Sequence, residues 1–216
     1  MHIETLLTYL TLTVIGLLPI MNPPTTASIF LGLSKGKDKQ YMTQVSKTVG
    51  VYLFFALTIT FLIGTSILEI FSISIPSLRL GGGMIIMVIG FNMLFPKPTV
   101  DECPNSKGSI ALVPLTIPSL CGPGTMALII SLAAEIASDQ QPLASWSIYS
   151  GVIIGFAIVA AIAALTLSMA YPLQKLLGES GINAFTRIMG FLLICMGVQF
   201  FTAGMSEVVQ EIAATL

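Results

Sequence analysis

Charge is what this sequence most lacks: of 216 residues only 9% are Asp, Glu, Lys or Arg, against 55% hydrophobic. A globular domain carries about 25% charged residues, so an ordinary soluble domain is excluded. Histidine is nearly absent too, with His2 the only one and at the extreme N-terminus. That inventory argues against a Ser/His dyad or a His-based metal centre inside the apolar segments, and the chain is expected not to be an enzyme. The three cysteines, Cys103, Cys121 and Cys195, have no CxxC or Cys/His spacing and read as free thiols. There is no ATP-binding P-loop, and with a formal net charge of −1 there is no basic surface for nucleic acid. The N-terminus lacks the basic region and small-residue cleavage site of a removable signal peptide. The first apolar segment is therefore expected to stay in the mature protein.

What the chain has in abundance is long uncharged apolar runs. A stretch of about 18 or more such residues reads as a membrane-spanning helix. Thr5 to Ser34, Val49 to Leu68, Ile110 to Ala134, Leu143 to Gln174 and Ile188 to Ser206 qualify, and the shorter Leu80 to Phe95 belongs with them. The expected fold is all-α, a polytopic membrane helical bundle of six spans.

With six crossings the loops divide between two sides. Lys35, Lys37, Lys39, Lys47, Lys97, Lys107, Lys175 and Arg187 fall on one, and only Arg79 on the other. Positive charge stays cytoplasmic, so both termini are expected to be periplasmic. Trp146 and Tyr149 then become aromatic anchors at the outer interface.

Proline and glycine interrupt the apolar runs twice, 100 residues apart. Asn22-Pro23-Pro24-Thr25-Thr26-Ala27-Ser28-Ile29 aligns with Gly122-Pro123-Gly124-Thr125-Met126-Ala127-Leu128-Ile129, with Pro23/Pro123, Thr25/Thr125, Ala27/Ala127 and Ile29/Ile129 identical. A later pairing, Gly83/Gly190, Gly90/Gly197 and Asn92/Gln199, shares one offset, with Arg79 and Arg187 one residue out of step. The chain thus reads as a duplication, with a first repeat at 1–95, a cytoplasmic linker at 96–109 and a second repeat at 110–216. Three crossings per repeat is odd, so the second copy is inverted, as in many secondary transporters with broken helices.

Helix breakers at membrane depth expose backbone groups that lipid cannot satisfy. The amides following a break suit a carboxylate, and the freed carbonyls suit an ammonium group or a cation. Asn22, Pro23, Thr25, Thr26, Gly122, Pro123, Gly124 and Thr125 are accordingly the candidate substrate-binding residues. Their ordinary alternative is a pair of kinks satisfied by neighbouring helices. Asn92, Gln199 and Arg79 are secondary candidates. The two amides either meet solute or bridge helices, the second being the commoner use; Arg79 either pairs with Glu69 or attracts a carboxylate at an outer vestibule. Gly151-Val152-Ile153-Ile154-Gly155 is a GxxxG helix-packing motif, serving inside the subunit or in a homo-oligomer.

Four stretches carry a family resemblance. They are Leu18-Pro19-Ile20-Met21-Asn22-Pro23 with Thr25-Thr26, the run ISIPSLRLGGGMIIMVIGFNMLFP from Ile73, PLTIPSLCGPGTMALIIS from Pro114, and RIMGFLLICMGVQF from Arg187. Together the chain resembles the MarC family of bacterial integral membrane proteins. The resemblance implies an inner-membrane protein of six spans. It extends to archaeal small neutral amino acid transporters of the same family, implying amino acid translocation. An intramembrane enzyme is set aside for want of an activating histidine, while a non-transporting accessory protein that stabilises a partner stays open. No Asp or Glu lies within an apolar core, so a coupling ion, H+ or Na+, is not identified by a carboxylate relay.

Overall fold

The computed structural model describes residues 2–34, 36–96, 110–138 and 145–215. They form helices α1 (His2–Met21), α2 (Pro23–Leu33), α3 (Lys39–Ile70), α4 (Ile75–Leu94), α5 (Pro123–Ser138), α6 (Ser145–Ser168) and α7 (Ala170–Thr215), with a π-type segment at Ala111–Leu120 before α5. Among the described residues there is no strand. Five helices are long and apolar enough to cross a membrane, and the π-type segment with α5, bent by 64°, makes up to six. The linker beyond Pro96, with Lys97, Cys103 and Lys107, and also Lys35, lies outside the described residues.

The core follows from the spacing of large apolar residues. Val45, Val49, Leu53, Leu57 and Phe61 recur at every fourth position along α3, and Gly64 and Leu68 continue its buried stripe. The first five pack with Leu17, Met21, Phe30, Leu115, Leu120, Val152, Phe156 and Val159 of the surrounding elements. Phe55, Ile59, Leu62, Val88, Phe91, Leu165, Phe191 and Val198 are instead exposed. An outer surface that apolar requires lipid rather than water around it. Threonine hydroxyls in these helices bond back to the preceding turn, as Thr58 does to Phe54 O and Thr166 to Ile162 O, which satisfies them without water.

Glycine sets the closest helix contact. A Cβ on Gly83 would lie 2.8 Å from Gly197 O, one on Gly90 2.7 Å from Gly190 O, and one on Gly204 2.8 Å from Pro76 O. Numbers rise along α4 as they fall along α7, so the two helices run antiparallel with their backbones touching. Arg79 and Arg187 consequently sit at opposite ends of this pair. The GxxxG motif is used within the subunit: a Cβ at Gly151 would meet Leu6 O at 2.7 Å and one at Gly155 would meet Thr13 at 2.9 Å. α1 occupies that face, so Gly151 and Gly155 are not available as a subunit contact.

The segment from Thr5 to Ser34 is broken at Asn22 and divides unevenly, because α1 alone has 20 residues, about 30 Å at 1.5 Å per residue. The polar stretch around Lys175 to Arg187, read as a loop, is helical apart from a kink at Gly178 (φ 64°, ψ 174°). Low hydropathy ends a span, and it does not end a helix. Before α5, Pro114 and Pro118 leave Val113 and Ile117 in extended backbone (φ −128° and −120°), so the irregularity begins well before Gly122.

The glycine contact yields a direct test. Gly90→Ala places a methyl against backbone that cannot move aside and is expected to lower stability by about 1–3 kcal/mol, whereas Gly81→Ala, with nothing within 4 Å of its Cβ, is expected to be neutral or to gain up to about 1 kcal/mol. Thermal unfolding of both variants in one detergent checks the pair; equal melting temperatures would remove the close approach of α4 and α7.

Candidate functional site

At the first break, Asn22 takes a left-handed conformation (φ 39°, ψ 65°), which Asn tolerates better than most residues. Its carbonyl accepts from the amides of Thr25 at 3.1 Å and Thr26 at 3.3 Å, closing the first turn of α2. Pro23 and Pro24 have no N–H, so the carbonyls of Pro19 and Ile20 lose the donors that a continuous helix would give them.

The side chains form a directed chain of bonds. Thr186 gives its single hydroxyl proton to Ile182 O at 2.8 Å, so in its 2.8 Å contact with Thr25 it accepts. Thr25 in turn accepts from Asn22 Nδ2 at 2.6 Å. Asn22 is only 4% exposed, yet its Oδ1 has no hydrogen-bond partner. Exchanging the two amide atoms of Asn22 only moves the unpaired group to Nδ2. The break therefore has one buried side-chain acceptor without a partner, Asn22 Oδ1 in the orientation found, and two carbonyls in the preceding turn whose helical donors the prolines remove. An unpaired buried acceptor suits an ammonium group, a cation or water.

The second break is built differently. Thr125 is buried and gives its hydroxyl to Leu120 O at 3.3 Å, and the amide of Cys121 reaches Thr116 O at 2.8 Å. Freed groups are thus partly satisfied by the chain itself. A Cβ on Gly122 would lie 2.8 Å from Pro118 O, and one on Gly124 3.3 Å from Ile86 and 3.8 Å from Ile20. Thr26 and Gly124 are buried, and Pro123 is exposed where Pro23 is buried. Gly124 thus faces apolar side chains, Ile20 just before the first break among them, and a small apolar cavity of about 100 Å³ lies between Leu17 of α1 and Leu128 and Ile129 of α5. Cys121 and Cys195 are free thiols.

Two larger cavities share Arg79. One of about 350 Å³ is lined by Ile75, Pro76, Arg79, Glu135, Glu207, Gln210 and Glu211, and a second of about 310 Å³ shares Arg79 and Glu135 and adds Ile86, Leu128, Gln199 and Phe200. Arg79 Nε donates to Ser131 Oγ at 3.0 Å, Nη2 reaches Glu135 at 3.4 Å, and Nη1 is paired with Glu207. Glu69, the partner expected for Arg79, instead lines a neighbouring cavity with Thr65 and Ser74. Gln199 joins the Arg79 cavity, whereas Asn92 is exposed and lies toward the far end of α4.

Sequence reasoning brought Asn22 and Thr25 together but missed Thr186, Ser131, Glu135 and Glu207. Thr186 carried a signal in hindsight. It stands at the same 107-residue offset from Arg79 that relates Gly83 to Gly190.

These elements define a polytopic integral membrane protein with interrupted helices. The sequence matches the MarC family of integral membrane proteins over residues 7–209, and the chain belongs to that family. Relatives include the inner membrane proteins MarC of Escherichia coli strain K12, Shigella flexneri and Shigella boydii serotype 4. Each is 38% identical over 205 residues, covering 90% of this chain and 92% of the relative. No solved structure matches the chain.

The left-handed backbone at position 22 makes a prediction about stability. Asn22→Ala adds about 1–2 kcal/mol of backbone strain to the loss of the Thr25 bond, while Asn22→Gly loses the bond without the strain. The glycine variant is expected to be the more stable by up to about 1 kcal/mol, as read by thermal unfolding. A more stable alanine variant would mean that the break is not left-handed.

Proposed function

We propose that this protein is a secondary transporter of small solutes, with small neutral amino acids as its substrates, working by alternating access and not as an enzyme. The observation that carries the reading is the buried, unpartnered Oδ1 of Asn22 at a helix break whose prolines take the helical donors from the carbonyls of Pro19 and Ile20. A membrane protein that needed only a kink would be expected to satisfy that group. The inverted repeat is supported by the register of α4 on α7: at the shared offset Gly83 corresponds to Gly190 and Gly90 to Gly197, so exchanging the halves turns the contact Gly83–Gly197 into Gly190–Gly90. A two-fold axis through the pair has that property. The relatives' designation as inner membrane proteins supports the same location here.

Orientation follows from the loop charges, with both termini periplasmic. A C-terminal reporter active only in the cytoplasm is expected to be silent, and a periplasm-dependent one active. The opposite result would reverse the assignment of the Arg79 end to the outer face.

Transport itself is tested with purified protein in liposomes. Uptake of labelled glycine, alanine or serine above protein-free vesicles is expected, and Gly124→Leu, which fills the space against Ile86 and Ile20, is expected to reduce it at least tenfold. H+ and Na+ gradients imposed separately identify the coupling ion. Absence of uptake under every gradient would overturn the reading in favour of a non-transporting accessory protein.

A further inference from the structure

Arginine 79 is the one cation near the cavities at its end of the bundle among the described residues, and it is held from two other helices at once. Ser131 and Glu135 come from α5 and Glu207 from α7. The Arg79 side chain is 16% exposed, against 68% for Glu135 and 34% for Glu207. The cation is largely enclosed, while its carboxylate partners remain in contact with the cavities. Both Arg79 and Glu135 line the outer cavity near the helix ends and the second cavity running to Ile86 and Leu128. The Arg79–Glu135 pair therefore borders both cavities, and Glu207 borders the first.

We propose that Arg79, Glu135 and Glu207 form a recognition site for a zwitterionic amino acid, which binds by exchanging ion pairs. The solute's carboxylate takes the guanidinium, whose planar fork accommodates a carboxylate in two parallel bonds, and the displaced glutamates take its ammonium. One positive and one negative charge are added together, so the site's net charge is unchanged and no ion is left uncompensated. An anion alone would displace the glutamates and leave them without a cation, and an amine alone would compete with Arg79 for them; both are disfavoured. The side chain of the bound amino acid faces the second cavity, whose walls of Ile86, Leu128, Met196, Phe200 and Ala203 with a volume of about 310 Å³ suit a small apolar group. Gln199 is the amide available to it there. This deepens the transport reading by giving the solute a site at the entrance, separate from the helix breaks.

Calorimetric titration of the whole protein in lipid nanodiscs with L-alanine, propionate and ethylamine tests the proposal. Alanine is expected to bind, with the two half-molecules at least tenfold weaker. Arg79→Gln and Glu207→Gln are each expected to weaken alanine at least tenfold, whereas Glu69→Gln, in the neighbouring cavity, leaves binding unchanged. Should Arg79→Gln fail to fold, Arg79→Lys keeps the charge without the fork and is expected to weaken alanine in the same direction. Propionate binding as tightly as alanine would overturn the proposal, since the ammonium would then play no part. Alanine binding unaltered in the Arg79 and Glu207 variants would overturn it as well. If those variants also retain liposome uptake, recognition lies at the breaks and the transport reading survives.

Discussion

Lipid accepts and donates no hydrogen bonds, and the arrangement of this protein depends on that constraint. Every carbonyl deprived of its amide by a proline must find a partner inside the bundle or wait for one. At the second break the chain supplies partners itself, through Thr125 on Leu120 O and the Cys121 amide on Thr116 O. The first break is less complete. The hydroxyl protons of Thr25 and Thr186 are spent on a single file from Thr25 to Thr186 to Ile182, and the acceptor Asn22 Oδ1 is left over. Two interruptions similar in sequence thus differ in what they leave unsatisfied.

Much of this was legible in the sequence because membrane depth leaves few options. Uncharged runs give the spans, and the paired breaks stand out against them as Asn22-Pro23 and Gly122-Pro123. Side-chain partners from distant segments were not legible. Nothing local marks Glu135 or Glu207 as the ligands of Arg79 over the nearer Glu69, since the choice depends on α5 and α7 converging on α4. GxxxG at Gly151 and Gly155 announces a close contact without naming α1 as its partner. The helical turns around Arg187 were hidden for another reason: polarity there reports emergence from the apolar layer and says little about backbone conformation.

The α4–α7 contact behaves as a spine. Backbone oxygens sit under 3 Å from where a Cβ would stand at Gly83, Gly90, Gly190, Gly197 and Gly204, and surfaces so closely fitted have no slack to slide. The helices after the breaks join this spine by packing and by side-chain bonds, Ala127 of α5 lying 2.7 Å from where a Cβ on Gly82 would stand. α5 is tied to the spine by Arg79 through Ser131 and Glu135, and α2 by the bond from Thr25 to Thr186.

Those two ties occupy corresponding places, because Arg79 and Thr186 are related by the offset that relates the spine's glycines. They lie toward opposite ends of the antiparallel pair, and their strengths differ. A hydrogen bond to a charged group contributes about 1.5–3 kcal/mol, a neutral one about 0.5–1.5 kcal/mol, although the exposure of Glu135 moves its share toward the lower end. Of the two, the bond from Thr25 to Thr186 is therefore the weaker tie. In the proposed recognition step a solute that replaces the glutamates on Arg79 supplies the guanidinium with a partner that does not belong to α5, and so loosens the ionic part of the stronger one. No Asp or Glu is buried among the described residues, and under the transport reading proposed above an uneven pair of ties, one ionic and open to exchange and the other neutral, gives the opening of one end a dependence on what occupies it.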